Sequence, residues 1–308
     1  MAYDVSALTN YVARENKILT KQLFAGGDTM KFATLMTGVK GSTLVPHLSG
    51  AATLQAGNCP TPSGTATADE VTLTVKPFTV YEQFCADDLE TKFPNTIIAA
   101  GSNNGDSLKP WEETLIDVKM SSIAEQLELH YWQGTLGGGS YPLFDGFIDI
   151  IDTAGTAIDG NTGSVAAGTG IVVGNVIAIV DAIYVAMPAK VKRTGEAKIL
   201  VGDDVFDLYI AALKAANLFH YSAENDNGVL KIGGGRGELM RVYGLDGTDR
   251  IFAGQGSNFI VGADVADEDK VADVFYDQTL DKVQMRVKAK SGVAVANIDE
   301  IVEFTLTA

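Results

Sequence analysis

Residues 110–132 read PWEETLIDVKMSSIAEQLELHYW, which is the clearest helical pattern in the chain. Apolar residues recur in it at spacings of four, three, four and four, at Ile116, Met120, Ile123, Leu127 and Tyr131. This period predicts one apolar stripe along a helix from Pro110 to Trp132, on the order of 30 Å long. Proline in the first turn and Gly134 just past the end agree with these limits. We expect this spine helix to support the rest of the domain.

A long alternating pattern precedes the helix, from Ser42 to Cys85, and predicts a β-hairpin. Within it, Val71–Lys76 alternates with period two, so that one face should be apolar and the other wet. The run from Gly57 to Asp69 is dominated by small and turn-forming residues and predicts a projecting loop. Its tip comprises Asn58, Cys59, Pro60, Thr61 and Pro62. Two interpretations stay open: a mobile surface loop, or a finger that becomes ordered by packing on a neighbouring subunit.

Helical and strand patterns alternate beyond the spine helix. The heptad Leu143-Phe-Asp-Gly-Phe-Ile-Asp149 comes first, followed by an excursion rich in Ala, Gly and Thr to about Gly170. The next patterns predict a helix (Val172 to Met187), a buried strand (Ala197 to Val201) and a helix (Val205 to Asn217) capped by Asp203 or Asp204. Short strands are then predicted at Leu239 to Tyr243, Arg250 to Phe252, Asn258 to Val261, Val271 to Tyr276, Lys282 to Val287 and Ile301 to Leu306. The fold class is α+β.

Composition and charge limit the classes of function. The chain has 308 residues, of which 46% are hydrophobic and 20% charged, and this predicts a folded protein with a sizeable core in two subdomains. The longest near-apolar run, Gly170 to Pro188, is interrupted by Asn175 and Asp181, so no membrane span is expected. Two cysteines, Cys59 and Cys85, and the lack of a leader pattern favour a reducing compartment. The formal net charge of -16 argues against sequence-specific nucleic-acid binding.

Motifs for catalysis or cofactor binding do not occur in the sequence. The glycine-rich run Gly233–Gly237 does not complete a dinucleotide-binding pattern. The acidic runs Asp264–Asp273 and Glu224–Gly228 do not follow the pattern of a helix-loop-helix calcium site. Carboxylate pairs such as Glu125 with Glu128 are expected on the polar side of the spine helix, with no pocket to raise a pKa. We therefore predict no catalytic residue, no metal site and no cofactor.

Several local sequence matches occur in one order along the chain. They are Val71–Lys76 running into Phe78–Glu90, then Pro110–Glu113, Glu128–Gly134 and Leu143–Phe147. In this order and spacing the chain resembles the major capsid protein of tailed double-stranded DNA bacteriophages, which has the Hong Kong 97 fold. No motif of that family is chemically obligatory, so the specificity lies in the order of the matches. The family-like motif consists of Leu143, Phe144, Asp145, Gly146 and Phe147.

The resemblance implies an α+β, Hong Kong 97-type architecture. Its parts would be an N-terminal arm (1–39), an extended hairpin loop (40–86), a peripheral domain with the spine helix (87–142), an axial domain (143–260) and strands that return to the peripheral domain (261–308). It also implies a structural protein, not an enzyme. Such a protein self-assembles as hexamers and pentamers into an icosahedral head that encloses double-stranded DNA, with each extended loop reaching over an adjacent subunit.

The same resemblance implies partners and a location. Scaffolding is expected to be a separate protein, since only about 40 residues precede the hairpin. Copies of the chain itself, a portal protein and, as an option, decoration proteins would be the other partners. DNA would be packaged without sequence-specific contacts, and no membrane is involved. The protein would be made and assembled in the host cytoplasm and would end in the virion, without a covalent cross-link between subunits.

Three other classes of protein remain as alternatives. The nearest is an encapsulin-type compartment, which resembles the same fold but encloses a cargo enzyme. An enzyme would need a cluster of perturbed acids or a nucleophile, which the sequence does not offer. A phage tail or decoration protein would leave the long spine helix and the motif near Leu143 unexplained.

Overall fold

The computed structural model describes residues 23–24, 27–54, 64–85, 110–161, 170–216, 229–232, 236–264, 272–280 and 282–306. Helices and strands alternate along the chain and form two main sheets and a separate two-stranded hairpin. The predicted α+β class is confirmed.

The elements have the following bounds. The main helices are α1 (Pro110–Gln133), α2 (Phe147–Ala154), α3 (Val176–Ala186), α4 (Ala189–Thr194) and α5 (Asp203–Ala215). The strands are β1 (Thr34–Thr37), β2 (Ser42–Ala52), β3 (Gly64–Thr74), β4 (Lys76–Phe84), β5 (Ile158–Asp159), β6 (Ala197–Val201), β7 (Val229–Ile232), β8 (Gly237–Arg241), β9 (Ile251–Gln255), β10 (Phe259–Asp264), β11 (Ala272–Asp277), β12 (Lys282–Val295) and β13 (Val302–Phe304). Short 3-10 turns lie at Thr29–Lys31, Tyr243–Leu245, Gly256–Asn258 and Ile298–Glu300.

The first sheet is organised around the long strand β12. This strand pairs antiparallel with β4, β10 and β11, and β1 pairs in parallel with β10. The apolar stripe of α1 shares one core with strand residues such as Val261 and Met285. The five predicted stripe residues are all buried, so the spine helix is confirmed, ending at Gln133 and not at Trp132. Its period of 3.6 residues puts all of them on the side that faces the core.

The second sheet has six strands in the order β5-β13-β9-β6-β8-β7. At its centre, β6 pairs in parallel with β8 and antiparallel with β9. Helices α3 and α5 supply apolar residues such as Ile179, Ile183 and Val205 to the core of this sheet. The predicted buried strand at 197–201 is confirmed. None of the described helices is both long enough and apolar enough to cross a membrane.

The C-terminal strands, within the predicted return segment 261–308, are divided between the two sheets. Strands β10, β11 and β12 belong to the five-stranded sheet, but β13 pairs with β5 and β9 in the six-stranded one. The Ile298–Glu300 turn separates β12 from β13. Glu303 follows this turn in β13. Arg250 forms ion pairs with both Glu303 and Asp152 of α2, and these hold β13 beside α2.

The hairpin is shorter than the predicted span from Ser42 to Cys85. Its strands are β2 and β3, which pair antiparallel from Ser42 opposite Thr74 to Ala52 opposite Gly64. Strand β4 leaves the hairpin and pairs with β12. The hairpin ends there because the backbone N–H of Val75 donates to the carbonyl oxygen of Gly41 at 2.8 Å, which closes the base before β4 begins.

The first residues of two helices differ from the predicted ones. Helix α3 begins after the predicted Val172, because the side-chain oxygen of Asn175 accepts a hydrogen bond from the Val172 N–H at 2.8 Å and holds a turn there. Helix α5 follows Gly202 as its N-cap, so neither aspartate caps it as predicted. The carboxylate of Asp204 instead accepts a hydrogen bond from the N–H of the next residue, Val205.

Five helices and strands were not predicted, and β12 is much longer than predicted. Helices α2 and α4 and strands β1, β5 and β7 are too short for a periodic pattern to stand out. Strand β12 continues from the predicted end at Val287 to Val295. Lys288, Lys290 and Gly292 interrupt the apolar pattern of this strand and hide its second half.

Candidate assembly interface

The β2–β3 hairpin presents apolar side chains to solvent. Leu44 and Leu48 are 54% and 78% exposed. Because successive side chains of a strand alternate between faces, both leucines lie on one face, together with their cross-strand partners Thr72 and Ala68. One exposed leucine is ordinary, whereas two on one face of a narrow ribbon are a candidate contact surface. We call Leu44, Leu48, Ala68 and Thr72 the leucine face.

The predicted tip residues Asn58, Cys59, Pro60, Thr61 and Pro62 lie outside the described residues. Their contact with a neighbouring subunit therefore stays a prediction. Leu54, which follows β2 towards the tip, is almost fully exposed. Cys85, just after β4, is a free thiol.

The base of the hairpin lies on the five-stranded sheet over two glycines. Gly262 of β10 and Gly292 of β12 are directly opposite each other in the antiparallel register. A Cβ atom at Gly292 would overlap the backbone oxygen of Thr74, and one at Gly262 would lie 2.8 Å from Cγ1 of Val75. Only glycine lets the chain cross the sheet this closely. We call Gly262 and Gly292 the glycine pair.

A small core forms around this crossing. Leu73 and Val75, at the end of β3 and just after it, are buried together with Val39, Ile260 and Ala294. The burial removes apolar surface from water on both sides of the crossing and stabilises the hairpin base. The outer part of the hairpin has no comparable core among the described residues.

Polar contacts fix the same region. The ammonium group of Lys290 donates to the backbone oxygen of Lys40 at 2.9 Å and pairs with Asp264 at 3.0 Å. Farther along β2, the Nε2 atom of His47 lies 3.2 Å from the side-chain nitrogen of Asn297. The hairpin therefore projects from an anchored base while its leucine face stays open.

The family-like motif at 143–147 closes the C-terminal end of the spine helix. The backbone N–H of Gly146 donates to the carbonyl oxygen of Gly134 at 2.9 Å. A Cβ atom at Gly146 would lie 2.5 Å from the carbonyl oxygen of Trp132, and one at Gly134 would overlap that of Phe144. The two backbone segments thus cross in direct contact, which requires glycine on both.

The other motif residues complete this closure. The carboxylate of Asp145 accepts a hydrogen bond from the Leu136 N–H at 2.8 Å and holds the glycine-rich turn that follows the helix. Phe144 and Phe147 are buried, and Leu143 packs against the same core. The motif is thus a structural junction between α1 and α2.

An aromatic cluster lies at this junction and joins the two sheets. Trp132 is fully buried, with ring centroids 5.0 Å from Phe147, 5.7 Å from Phe252 and 5.7 Å from Phe259. Phe252 belongs to β9 of the six-stranded sheet and Phe259 to β10 of the five-stranded sheet. The indole N–H of Trp132 donates to the hydroxyl oxygen of Thr29 at 2.7 Å. Contacts between aromatic rings at these distances stabilise the fold beyond the burial of their surface.

Solved structures share this arrangement of helices and sheets. A chain of the satellite phage P4 procapsid that includes the size determination protein matches with a TM-score of 0.63 and 10% identity, over 95% of this chain and 91% of its own. A capsid chain of the empty GTA particle matches with a TM-score of 0.56 and 15% identity, over 92% of this chain and 90% of its own. The chain has a phage capsid-protein fold. A chain of a virus-like particle from Pyrococcus furiosus also matches, with a TM-score of 0.54 and 10% identity, over 96% of this chain and 99% of its own.

The likeness to capsid proteins is one of structure. No model of a known protein family and no curated protein matches the sequence. Within the capsid fold, the predicted stripe and the motif at 143–147 meet at the end of the spine helix, around Trp132. Their burial is observed, whereas a role of the predicted tip in subunit contacts stays a prediction.

One buried carboxylate in this capsid fold was not predicted from the sequence. Glu128 was expected beside Glu125 on the polar side of the spine helix, but its side chain is only 1% exposed. Its Oε1 atom accepts hydrogen bonds from the Thr29 backbone N–H, at 3.0 Å, and from the Thr29 hydroxyl. No local pattern marks this burial, because the covering residue is 99 positions away in the sequence.

Burial raises the pKa of Glu128 to about 7. The hydrogen bonds from Thr29 lower this pKa, the charge of Asp28 raises it, and Lys31 lowers it, but the loss of hydration has the largest effect. The other carboxyl oxygen, Oε2, has no hydrogen-bond partner among the described residues. A proton can therefore be added at Oε2 without breaking the bonds from Thr29.

Glu128→Gln should make the stability of the subunit less dependent on pH. The folded protein holds the Glu128 proton up to about pH 7, above the ordinary pKa of 4.5, so the free energy of unfolding falls as pH rises between these values. The gap between the two pKa values corresponds to a loss on the order of 3 kcal/mol in the free energy of unfolding at pH values above this window. Denaturant unfolding below and above this window should show the loss in the natural chain and in Glu125→Gln, an exposed control. An equal loss in Glu128→Gln would contradict the assignment.

His47 and His130, the histidines in the described ranges, both have structural contacts. The ring of His130 makes an edge-to-face contact with that of Tyr141, with ring centroids 5.1 Å apart, and burial lowers the pKa of this histidine. Within those same ranges, no group of three or more His, Cys, Asp or Glu side chains is arranged to hold a metal ion.

Proposed function

We propose that this chain is the structural major capsid protein of a tailed bacteriophage. Copies of it self-assemble as hexamers and pentamers into an icosahedral head that encloses double-stranded DNA. The observation that carries the proposal is a capsid-protein fold that spans 95% of the chain. An anchored hairpin with an open leucine face supports it, because a subunit of a closed shell completes its packing with copies of itself.

In this proposal each segment has its own role. Residues 1–39 form the arm, and the hairpin within 40–86 reaches over an adjacent subunit. Residues 87–142 form the peripheral domain with the spine helix, and 143–260 form the axial domain around the local symmetry axes. Residues 261–308 return to the peripheral domain, apart from β13, which pairs with β9 in the six-stranded sheet.

The net charge of -16 suits a container for DNA. An acidic wall repels the phosphate backbone, so the packaged polymer would contact it without sequence-specific binding. Scaffolding, portal and decoration proteins would be separate chains, and assembly would take place in the host cytoplasm. The proposed role includes no enzymatic activity.

A protein compartment of the encapsulin type is the second candidate. The likeness to the virus-like particle from Pyrococcus furiosus, over 96% of this chain, favours it. Both candidates form a closed shell. They differ in what the shell contains and in whether one vertex holds a portal. A phage head would take up a portal at one vertex when the two proteins are produced together, whereas a compartment would enclose a cargo enzyme.

Electron microscopy with light scattering tests the proposal directly. The full chain would be purified after expression alone and with its neighbouring genes. Closed shells, or rings of five and six subunits, would support the proposal, and a portal at one vertex would favour the phage head. A monomer under all of these conditions would contradict a shell protein of either kind.

Leu48→Asp should block shell assembly without unfolding the subunit. The side chain is mostly in water, so the free energy of unfolding should change by less than about 0.5 kcal/mol. In a subunit contact, the same carboxylate would be buried without a partner, at a cost of several kcal/mol. Sedimentation velocity would compare the fraction in shells with that of Leu280→Asp, an exposed leucine off the hairpin. Normal shells from Leu48→Asp would rule out the leucine face as a subunit contact.

A further inference from the structure

A cleft of about 600 Å³ lies beside the spine helix, on a different side from the hairpin base. One wall is a row of α1 residues spaced by four, four and three positions, so that they share one helix face. This row consists of Asp117, Ser121, Glu125 and Glu128. The opposite wall is formed by Gly27, Asp28, Asp203, Arg241 and Tyr243. The volume is typical of sites for small molecules.

Acidic groups outnumber basic ones in the lining of this cleft. Five carboxylates line it, and Arg241 is the one basic side chain among the described lining residues. Arg241 does not neutralise its neighbour well, because its Nε atom is 3.9 Å from the Asp203 oxygen Oδ1 and the side chain is half exposed. Asp28 has a closer partner in Lys31, at 2.6 Å, which lies outside the lining. The cleft therefore attracts cations.

Two buried oxygen atoms in the lining lack hydrogen-bond partners in the described part of the chain. They are Oε2 of Glu128 and Oδ1 of Asp203, neither of which has a hydrogen bond. Glu128 is 1% exposed, and its Oε2 points toward Gly27, which lines the same cleft. A buried acceptor without a donor costs on the order of 1–3 kcal/mol. An N–H group of a ligand that reaches either oxygen would remove that cost.

The arrangement of these groups selects the kind of cation. A metal ion needs several ligands around one point, and no such group of three occurs among the described residues. The carboxylates are instead distributed along a helix face and across the cleft, which suits positive charges separated by flexible spacers. We propose that this cleft binds a linear polyamine, with one ammonium group at the Glu128 end and others along the acidic row. The inference is independent of shell assembly.

Calorimetric titration of the full-length chain with spermidine tests the proposal at moderate ionic strength and at about pH 8, above the pKa of Glu128, so that this carboxylate is charged. We expect saturable binding at one site per chain. Glu128→Gln should weaken it about tenfold, since a charged hydrogen bond is lost. Asp117→Asn should weaken it less, and this exposed change carries little risk for folding. Asp181→Asn, an exposed residue of α3 that does not line the cleft, should leave the affinity unchanged.

Three results would overturn the proposal. The first is no saturable heat with spermidine. The second is equal weakening by Asp181→Asn and Asp117→Asn, which would mean a general response to net charge. The third is binding of Mg²⁺ with the same dependence on these variants, which would assign the cleft to a metal ion. Circular dichroism of each variant would show that the fold is retained.

Discussion

Gly292→Ala should give a subunit that forms no closed shells. The new methyl group would overlap the backbone oxygen of Thr74 and would lie 3.1 Å from the Cα atom of Val75. These are backbone atoms, so no side-chain rotation can relieve the contact, and the end of β3 has to move away from the sheet. Overpacking of this kind costs about 1–3 kcal/mol. The larger effect should be on assembly, because the hairpin would leave its base in a different direction.

Unfolding in denaturant and electron microscopy of the same preparation would measure both effects. The matched control is Gly41→Ala, also at the hairpin base, where an added Cβ meets no atom within 4 Å. This control should keep its stability and its shells. Shells of normal size and yield from Gly292→Ala would show that the glycine pair does not set the direction of the hairpin.

Trp132→Ala should lower the free energy of unfolding by about 3–5 kcal/mol. The indole ring is fully buried between Phe252 of one sheet and Phe259 of the other. Its removal leaves a cavity where the two sheets meet and also takes away the hydrogen bond to Thr29. Since natural domains are stable by about 5–15 kcal/mol, we expect most of this variant to be insoluble on expression at 37 °C.

Trp132→Phe separates the two contributions. It keeps an aromatic ring in the cluster and removes the indole N–H, so its loss should be about 1–2 kcal/mol. Thermal unfolding followed by circular dichroism would compare both variants with the natural chain. If both variants lost the same stability, the hydrogen bond to Thr29 and not the packing of the ring would be the dominant interaction.

The sequence predicted those elements whose patterns are long and regular. The stripe from Ile116 to Tyr131 repeats over several turns, and the predicted spine helix differs from the observed one by a single residue at its end. The hairpin was predicted from its alternation, although β4 was included wrongly. Alternation indicates a strand but not its partner, and Lys76–Phe84 alternates equally well in the sheet where it lies.

Features that depend on register or distant packing could not be predicted. Gly262 and Gly292 stand opposite each other only because β10 and β12 pair in one register. The burial of Glu128 could not be predicted for the same reason. Helical periodicity placed this residue on a polar face, which Thr29 and Gly27 cover in the fold. The acidic cleft combines an α1 face with residues near 28, 203 and 241, and no spacing rule connects these positions.

The pairing of β4 with β12 has a consequence during protein synthesis. Tyr81 and Gln284, which share a hydrogen bond between these strands, are 203 residues apart in the sequence. At about 5–20 residues per second, a ribosome needs on the order of 10–40 seconds to make the chain between them. The central strands of the six-stranded sheet, in contrast, come from one continuous stretch between 197 and 255. We expect β4, like β1 with its distant partner β10, to wait as an unpaired strand on the nascent chain, where a ribosome-associated chaperone would shield its open edges.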